Sequence, residues 1–470
     1  MTIDRNAWTL RSLLACALVL GACGDDDAPD EDAGTPDAMV EEDAGGGVDS
    51  GPVEEDAGTD AGPMGCTEGC AIEELVVGFD HVCGRRENGE VLCWGGNVFG
   101  QLGDDRMRHG DCSDGGVEVV DCSAEPVSVV GLEATTITAN GGPSNCALSA
   151  EGVFCWGLSD VPPLGSDQRV RRFLPEEVMG WSNPTLLDTG SINTCGTVMS
   201  GAVRCSGDNT SGQLGDDSEV EESVLPVNVE IADALEVDVA SGGQFACART
   251  ASAISCWGSD RAGQLGNGED QPDECTDDSA TTYDCSRTPV EAEIDASTIE
   301  QMDLGSEHVC ALQTDGTVVC WGANFAGQLG LGNTDTGNDT PQAVPGLSDV
   351  TQIAVGHEHS CAISGGSVFC WGSNEEGQIG DGSIEGHSTC TTATTTVDCL
   401  LSPTEVDLEG TAVAVAAGFQ TTCALLDDGS VWCWGWNGRR QLGREDRLPM
   451  DRTRECRISV WWTPAPASKT

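Results

Sequence analysis

Short apolar runs, never long ones, organise this chain, and they come in facing pairs. Around residue 315 the order is His308-Val309-Cys310-Ala311-Leu312-Gln313-Thr314-Asp315-Gly316-Thr317-Val318-Val319-Cys320-Trp321. Two β-type runs flank an Asp-Gly step, a strong hairpin signal. Cys310 and Cys320 are equidistant from residue 315, so antiparallel pairing about that turn sets the two sulfurs opposite each other. Directly opposed residues on antiparallel strands lie about 4.5–5.5 Å apart at Cα, inside disulfide range. A run such as Gln352-Ile353-Ala354-Val355 precedes a hairpin of this kind, and one such as Pro226-Val227-Asn228-Val229 follows another. Four short strands per unit with Gly-rich turns between them predict a small antiparallel sheet.

The unit repeats. Cys-Trp-Gly recurs at Cys93, Cys155, Cys256, Cys320, Cys370 and Cys433, and a seventh copy reads Cys205-Ser206-Gly207. Successive separations are 62, 50, 51, 64, 50 and 63 residues, a period near 50 with three enlarged intervals. Each triplet cysteine has a partner nine or ten residues upstream, at Cys83, Cys146, Cys195, Cys247, Cys310, Cys361 and Cys423, which predicts one cross-strand disulfide per repeat. Structural zinc is the competing reading, but it usually needs closer C-x2-4-C pairs, and none recurs. Each enlarged interval holds one further pair, Cys112 with Cys122, Cys275 with Cys285, and Cys390 with Cys399. Self-similarity at this period points to one repeat array and not to several domains.

Other pieces recur in fixed order. A Gly precedes the upstream cysteine, as in Gly305-Ser306-Glu307-His308 and Gly356-His357-Glu358-His359. A Gly-Gln-Leu-Gly element follows the triplet at 100–103, 212–215, 263–266 and 327–330, with variants at 377–380 and 440–443 and a degraded Pro163-Leu164-Gly165. The order G-x-x-H-x-C-A-L, D-G-x-V-x-C-W-G-x-N, G-Q-L-G and P-x-x-V resembles the regulator of chromosome condensation repeat over about 71–443. The resemblance implies an all-β fold, a seven-bladed β-propeller of four-stranded blades. The disulfide pairs and acidic body depart from the nuclear family and are closer to secreted bacterial propellers of this repeat. The first repeat begins at Glu74-Leu75-Val76-Val77 without a preceding Pro-x-x-V strand, so Ile458-Ser459-Val460-Trp461-Trp462 is expected to supply that strand to blade one.

Composition places the chain. Of 470 residues, 79 are Asp or Glu and 21 Lys or Arg, a formal net charge of −58 that repels phosphate backbones and anionic lipid, so nucleic acid is not an expected partner. The single Lys, Lys469, leaves no P-loop or Schiff-base lysine. Twenty-five Cys suit an oxidising compartment. Arg5 and Arg11 precede the apolar run 13–20 and Gly21-Ala22-Cys23, which reads as a signal peptide over 1–22 ending in a lipobox-like site. Cys23 is the expected lipidation site, and simple secretion is the alternative. Residues 24–65 hold 15 acidic residues and no basic ones, so 23–65 is expected to be a lipid-anchored, disordered stalk and 66–470 the propeller. Cys66, Cys70 and Cys456 remain without assigned partners.

Candidate chemistry is scarce, and neither catalytic residues, a metal nor a cofactor is assigned. His81, His308 and His359 fall at one repeat position, which favours a structural role. No G-x-S-x-G elbow or H-E-x-x-H motif occurs. The adjacent Asp315-Gly316 differs from a sialidase Asp-box, in which one residue separates the two. Trp94, Trp257 and Trp321 are expected between blades, and the Asp104-Asp105 and Asp216-Asp217 loops match no calcium-loop spacing. What remains is surface. The three stapled insertions lie between Gly-Gln-Leu-Gly and the next Pro strand, so blades one, four and six should carry hairpins on one face, and rigid loops suit protein recognition. The expected function is a non-enzymatic, monomeric cell-envelope lipoprotein whose hairpins bind a protein of unknown identity, with the lipid anchor its sole membrane contact. Guanine-nucleotide exchange, implied by the resemblance, and inhibition of a secreted enzyme are the alternatives.

Overall fold

The computed structural model describes residues 71–444 apart from 107, 113–119, 160–169, 270, 272, 277–280, 336, 385–386 and 392–395. Its strands form seven antiparallel sheets, the blades of a propeller. In blade one the chain runs outward through Ile72–Val77, His81–Arg86, Val91–Gly96 and Cys122–Ser128. The same order builds the others, with inner strands at Ala134–Thr138, Pro184–Thr189, Glu236–Val239, Ile299–Leu304, Val350–Val355 and Ala412–Ala417. Blades four and six gain a fifth strand, Asp273–Thr276 and Ser388–Thr391, from their insertions. Blade seven has three strands among the described residues.

That count corrects the expected closure. Blade one already contains four strands of its own, because the Pro strand pairs with the triplet strand of its own repeat. The blade short of a strand is the seventh, and residues 458–462 lie outside the described residues. Ring closure among the described residues is lateral. Ile72, Leu75, Val82 and Trp94 of blade one share a core with Leu425, Val431 and Leu442 of blade seven.

All seven blade disulfides join directly opposed residues, as Cys310 and Cys320 do, and their Cα–Cα distances are 4.0 to 4.1 Å. The three insertion pairs are present too, bringing the described disulfides to ten. Their residues are offset: Cys275 stands opposite Tyr283 while Cys285 stands opposite Asp273.

The cores lie between blades. The triplet tryptophan fills six of the seven seams, and its indole N–H donates to the carbonyl of the glutamine in the preceding blade's Gly-Gln-Leu-Gly turn. These bonds run from Trp156 to Gln101, Trp257 to Gln213, Trp321 to Gln264, Trp371 to Gln328, Trp434 to Gln378 and, across the closure, Trp94 to Gln441, at 2.9 to 3.0 Å. The last glycine of the turn is required at this contact: a Cβ on Gly266, at φ +73°, would lie 2.5 Å from Trp321 Nε1. Blade three, with Ser206 in place of Trp, meets blade two through Trp181 and Leu187.

The recurrent histidines lock the same seams. His308 Nε2 lies 3.0 Å from Ser360 Oγ, and Ser360 donates onward to the Gln328 carbonyl. His359 with Thr422 and Gln378, and His81 with Asn145 and Gln101, repeat the relay. Because each middle group donates onward, it accepts from the histidine, which fixes the proton on Nε2. Burial pushes His308 and His359 down to about 3, so both rings are neutral. Each ring lies on its motif glycine, where a Cβ on Gly78, Gly305 or Gly356 would sit 2.2 Å from the ring.

Candidate interaction face and central channel

Antiparallel order carries the turns before the second strands and the loops after the third strands to the same face of the ring. Around that face, neighbouring G-x-x-H turns are hydrogen-bonded: Phe79 N to Gly142 O, Ser241 N to Gly305 O, Ser306 N to His357 O and His357 N to Gly418 O. Phe419 N reaches Gly78 O across the closure, and the Phe79 and Phe419 rings meet at 4.7 Å. His357 stacks on Phe419 at 4.4 Å.

The three insertions emerge on this face, and those of blades one and four rest on neighbouring blades. In blade four the Tyr283 hydroxyl lies 2.7 Å from Ser211 Oγ of blade three, and Arg261 packs over the Tyr283 ring at 3.5 Å. In blade one the Arg440 guanidinium of blade seven donates to the Asp111 carbonyl. In blade six the contact is made beyond the insertion, where the Leu401 carbonyl of the fourth strand accepts from Gly332 N of blade five. The insertion cysteines are buried, whereas Glu274, Thr276, Ser388 and Thr391 beside them are exposed. A disulfide at each base, joined in blades one and four by a brace on the adjoining blade, holds three projections on the ring.

The acidic post-repeat loops are engaged within the protein. Asp104 meets His109 and Arg106, and Asp216 caps Ser218. Asp105 and Asp217 occupy left-handed backbone at φ 63° and 59°. No cluster of three or more His, Cys, Asp or Glu is arranged to hold a metal among the described residues. Among them, too, no helix is long and apolar enough to cross a membrane. Cys23, Cys66, Cys70 and Cys456 lie outside the described residues.

Sequence reading missed the channel. A cavity of about 450 Å³ runs along the inner strands, lined by Glu74, Asp188, Glu236, Asp238, Gln301 and Asp303 among others. Inner strands present unpaired edge N–H groups, and these side chains satisfy them across the seams. Glu74 accepts from Ile137 N, Asp188 from Val239 N, Glu236 from Met302 N, and Asp303 from Val355 N. Gln301 does the same for Ile353 N and Gln352 for Val415 N. The available signal was a polar residue at the third position of Ile72–Val77, Ile299–Leu304 and Val350–Val355.

Crowding of carboxylates makes the channel pH-sensitive. Burial, reinforced by Asp188 and Glu236, pushes Asp303 up to about 8 against the hydrogen bonds from Val355 and Leu304. Burial also raises Glu236 despite Arg249, and burial with neighbouring acids raises Asp238 well above the ordinary range. A folded-state carboxyl raised in this way contributes fully below the unfolded value of about 3.9, and its contribution is lost as pH rises toward 8. The thermal midpoint should therefore fall by on the order of 5 °C between about pH 5 and about pH 8. Asp303→Asn, with no proton to lose, should flatten that slope in a calorimetric pH series. An unchanged slope in the variant would contradict this.

Known proteins share this architecture. Two profiles of the Regulator of chromosome condensation (RCC1) repeat match residues 315–363 and 365–425, and 72–101, 299–328, 350–378 and 412–441. The chain is 27% identical to the Ultraviolet-B receptor UVR8 of Arabidopsis thaliana over 61% of its own length and 60% of the receptor. It is 29% identical to the Secretion-regulating guanine nucleotide exchange factor of Mus musculus, over 63% of this chain and 65% of that one. The match therefore spans less than two thirds of either relative. Among solved structures, yeast RCC1 (Prp20) bound to Kap60 superposes with a TM-score of 0.62 at 18% identity, covering 85% of this chain and 90% of that one. Human WBSCR16 gives 0.60 at 19% identity, over 76% and 87%. At these identities the structures establish shared fold alone.

Proposed function

The chain is a β-propeller of regulator of chromosome condensation repeats, and on that premise we propose that it is a non-catalytic display scaffold whose hairpin face binds a protein partner. The observation that carries this reading is the set of three related insertions, each closed by a disulfide at its base, with those of blades one and four braced on the blade before. Loops held in this way lose little ordering entropy on binding. Among proteins of this fold, Prp20p of Saccharomyces cerevisiae binds Gsp1p and histones. Ten disulfides favour an oxidising compartment. In this reading residues 1–22 direct export, Cys23 carries the lipid, 23–65 form the stalk and 66–470 act as a monomeric propeller at the cell envelope.

Replacing the three hairpins by short turns, with the blade disulfides kept, tests the docking face. The variant should melt within a few degrees of the parent yet bind a partner purified on the intact protein at least about tenfold more weakly, roughly 1.4 kcal/mol. Undiminished affinity would sink the reading. Intact mass of the mature protein tests the anchor, since an unacylated Cys23 removes it. Guanine-nucleotide exchange is the second reading, favoured by the murine exchange factor. It predicts accelerated nucleotide release from a small GTPase by the oxidised propeller.

A further inference from the structure

Two of the three hairpins share an arrangement that the repeat does not require. In blade one, His109 lies between two carboxylates, with Nδ1 3.0 Å from Asp121 Oδ2 and Nε2 2.8 Å from Asp104 Oδ2. In blade six, His387 Nδ1 lies 2.5 Å from Asp398 Oδ2 and Nε2 2.7 Å from Asp381 Oδ2. The positions correspond. Asp104 and Asp381 each follow the last glycine of the Gly-Gln-Leu-Gly element, and Asp121 and Asp398 each precede the second insertion cysteine. The histidine therefore ties the base of the hairpin to the turn of its own blade. All six side chains are at most 19% exposed.

Only an imidazolium satisfies both legs, because a neutral ring must turn one bare nitrogen lone pair toward a carboxylate. The Nδ1 leg is reinforced, since the same aspartate accepts the histidine's own backbone N–H and an asparagine amide, Asn97 in blade one and Asn374 in blade six. The weaker leg is therefore Nε2 to Asp104 or Asp381. Among the described residues, Arg106 approaches the blade-one site, with Nε 3.5 Å from Asp104, and Arg440 of blade seven holds the Asp111 carbonyl. At blade six, among the described residues, the ring is paired with the two aspartates.

We propose that Asp104–His109–Asp121 and Asp381–His387–Asp398 are proton-dependent pins, which fix the hairpins of blades one and six to the ring when the histidine is charged and free them from Asp104 and Asp381 when it is not. Its meaning for partner binding rests on the docking reading above, since it makes that face rigid in acid to neutral surroundings and looser in alkaline ones. The surroundings push both rings in the same direction, upward. The Asp121 hydrogen bond raises His109, and Asp398 and Asp381 raise His387 against the opposing effect of burial. A histidine raised on folding contributes fully below about pH 6.5, and the contribution is lost as pH rises through its higher folded value. Blade four supplies an internal comparison. There a glutamine amide, Gln271 Nε2, bridges Asn267 Oδ1 at 2.8 Å and Asp260 Oδ2 at 2.7 Å, and burial raises Asp260 to about 6, so this bridge keeps one charge state above about pH 7.

Hydrogen exchange on the full chain between about pH 7 and about pH 9, corrected for intrinsic rates, reads the pins directly. Segments 104–112 and 381–390 should lose protection by roughly tenfold across that range, while 267–275 changes less than about twofold. His109→Gln with His387→Gln should make the first two as flat as the third. Ring NMR titration of the unmodified protein provides a measurement independent of those variants, and both histidines should titrate above about 6.5. Equal pH profiles in all three hairpins, or ring titration at or below the ordinary value, would overturn the pins. Neither readout includes a partner, so failure of the docking face would leave this result standing and the reverse also holds.

Discussion

Trp321→Ala should lower the free energy of unfolding by about 3–5 kcal/mol, the range for deleting a large buried aromatic. The side chain is fully buried in the seam between blades four and five, packed with Phe245, Leu265 and Met302. Its loss also strips the Gln264 carbonyl of its indole donor. Trp321→Phe separates the two contributions, because it keeps most of the apolar volume and removes the hydrogen bond, at about 1–3 kcal/mol for a buried acceptor left unmade. At the next seam the Gln328 carbonyl accepts from both Trp371 and Ser360 Oγ, so Trp371→Phe should cost measurably less. Denaturant titration of the two phenylalanine variants checks this. Equal losses would show that the carbonyl is not what distinguishes the seams.

Removing a blade disulfide should have the next largest effect. Cys310→Ala with Cys320→Ala frees a loop of about ten residues in the unfolded chain, a change of roughly 2–3 kcal/mol in the loop-entropy picture. The pair joins two fully buried, directly opposed residues of the middle strands, so its effect is felt by the whole blade. The Cys275–Cys285 pair closes a loop of the same length at the edge of its sheet, on strands with exposed neighbours, and Cys275→Ala with Cys285→Ala opens it. That double variant should loosen the hairpin while leaving the global midpoint within about 2 °C of the parent. Calorimetry of both double variants separates the cases. A larger drop from the insertion pair would reverse the ranking.

The hairpins were legible because antiparallel strands mirror about their turn, so the midpoint of Cys310 and Cys320 at Asp315 fixes their register before any tertiary contact is considered. The blade count followed from the spacing of the triplet. The phase of the blades did not, since a Pro strand adjoins one hairpin and precedes another in sequence, and only pairing decides its sheet. Hence a missing strand was expected in blade one, whereas among the described residues blade one has four strands and blade seven three. The channel was hidden for a related reason. Glu236-Val237-Asp238-Val239 alternates as any half-buried strand does, and alternation does not distinguish open solvent from a shared axis. The histidine pins were obscure because 5 and 12 residues separate His109 from its two aspartates, and 6 and 11 separate His387 from its own.

Each indole bond joins a tryptophan to a glutamine carbonyl in the blade before it, so the stabilising element belongs to neither blade alone. A duplicated segment is useful only if it brings a tryptophan for the turn behind it and a turn for the tryptophan ahead. The inherited module is thus offset by half a blade from the visible sheet. Where one half decays, the other loses the contact that preserved it. This chain carries that signature once: the second repeat's turn has eroded to Pro163-Leu164-Gly165, and Ser206, not tryptophan, stands in the blade that would have used it.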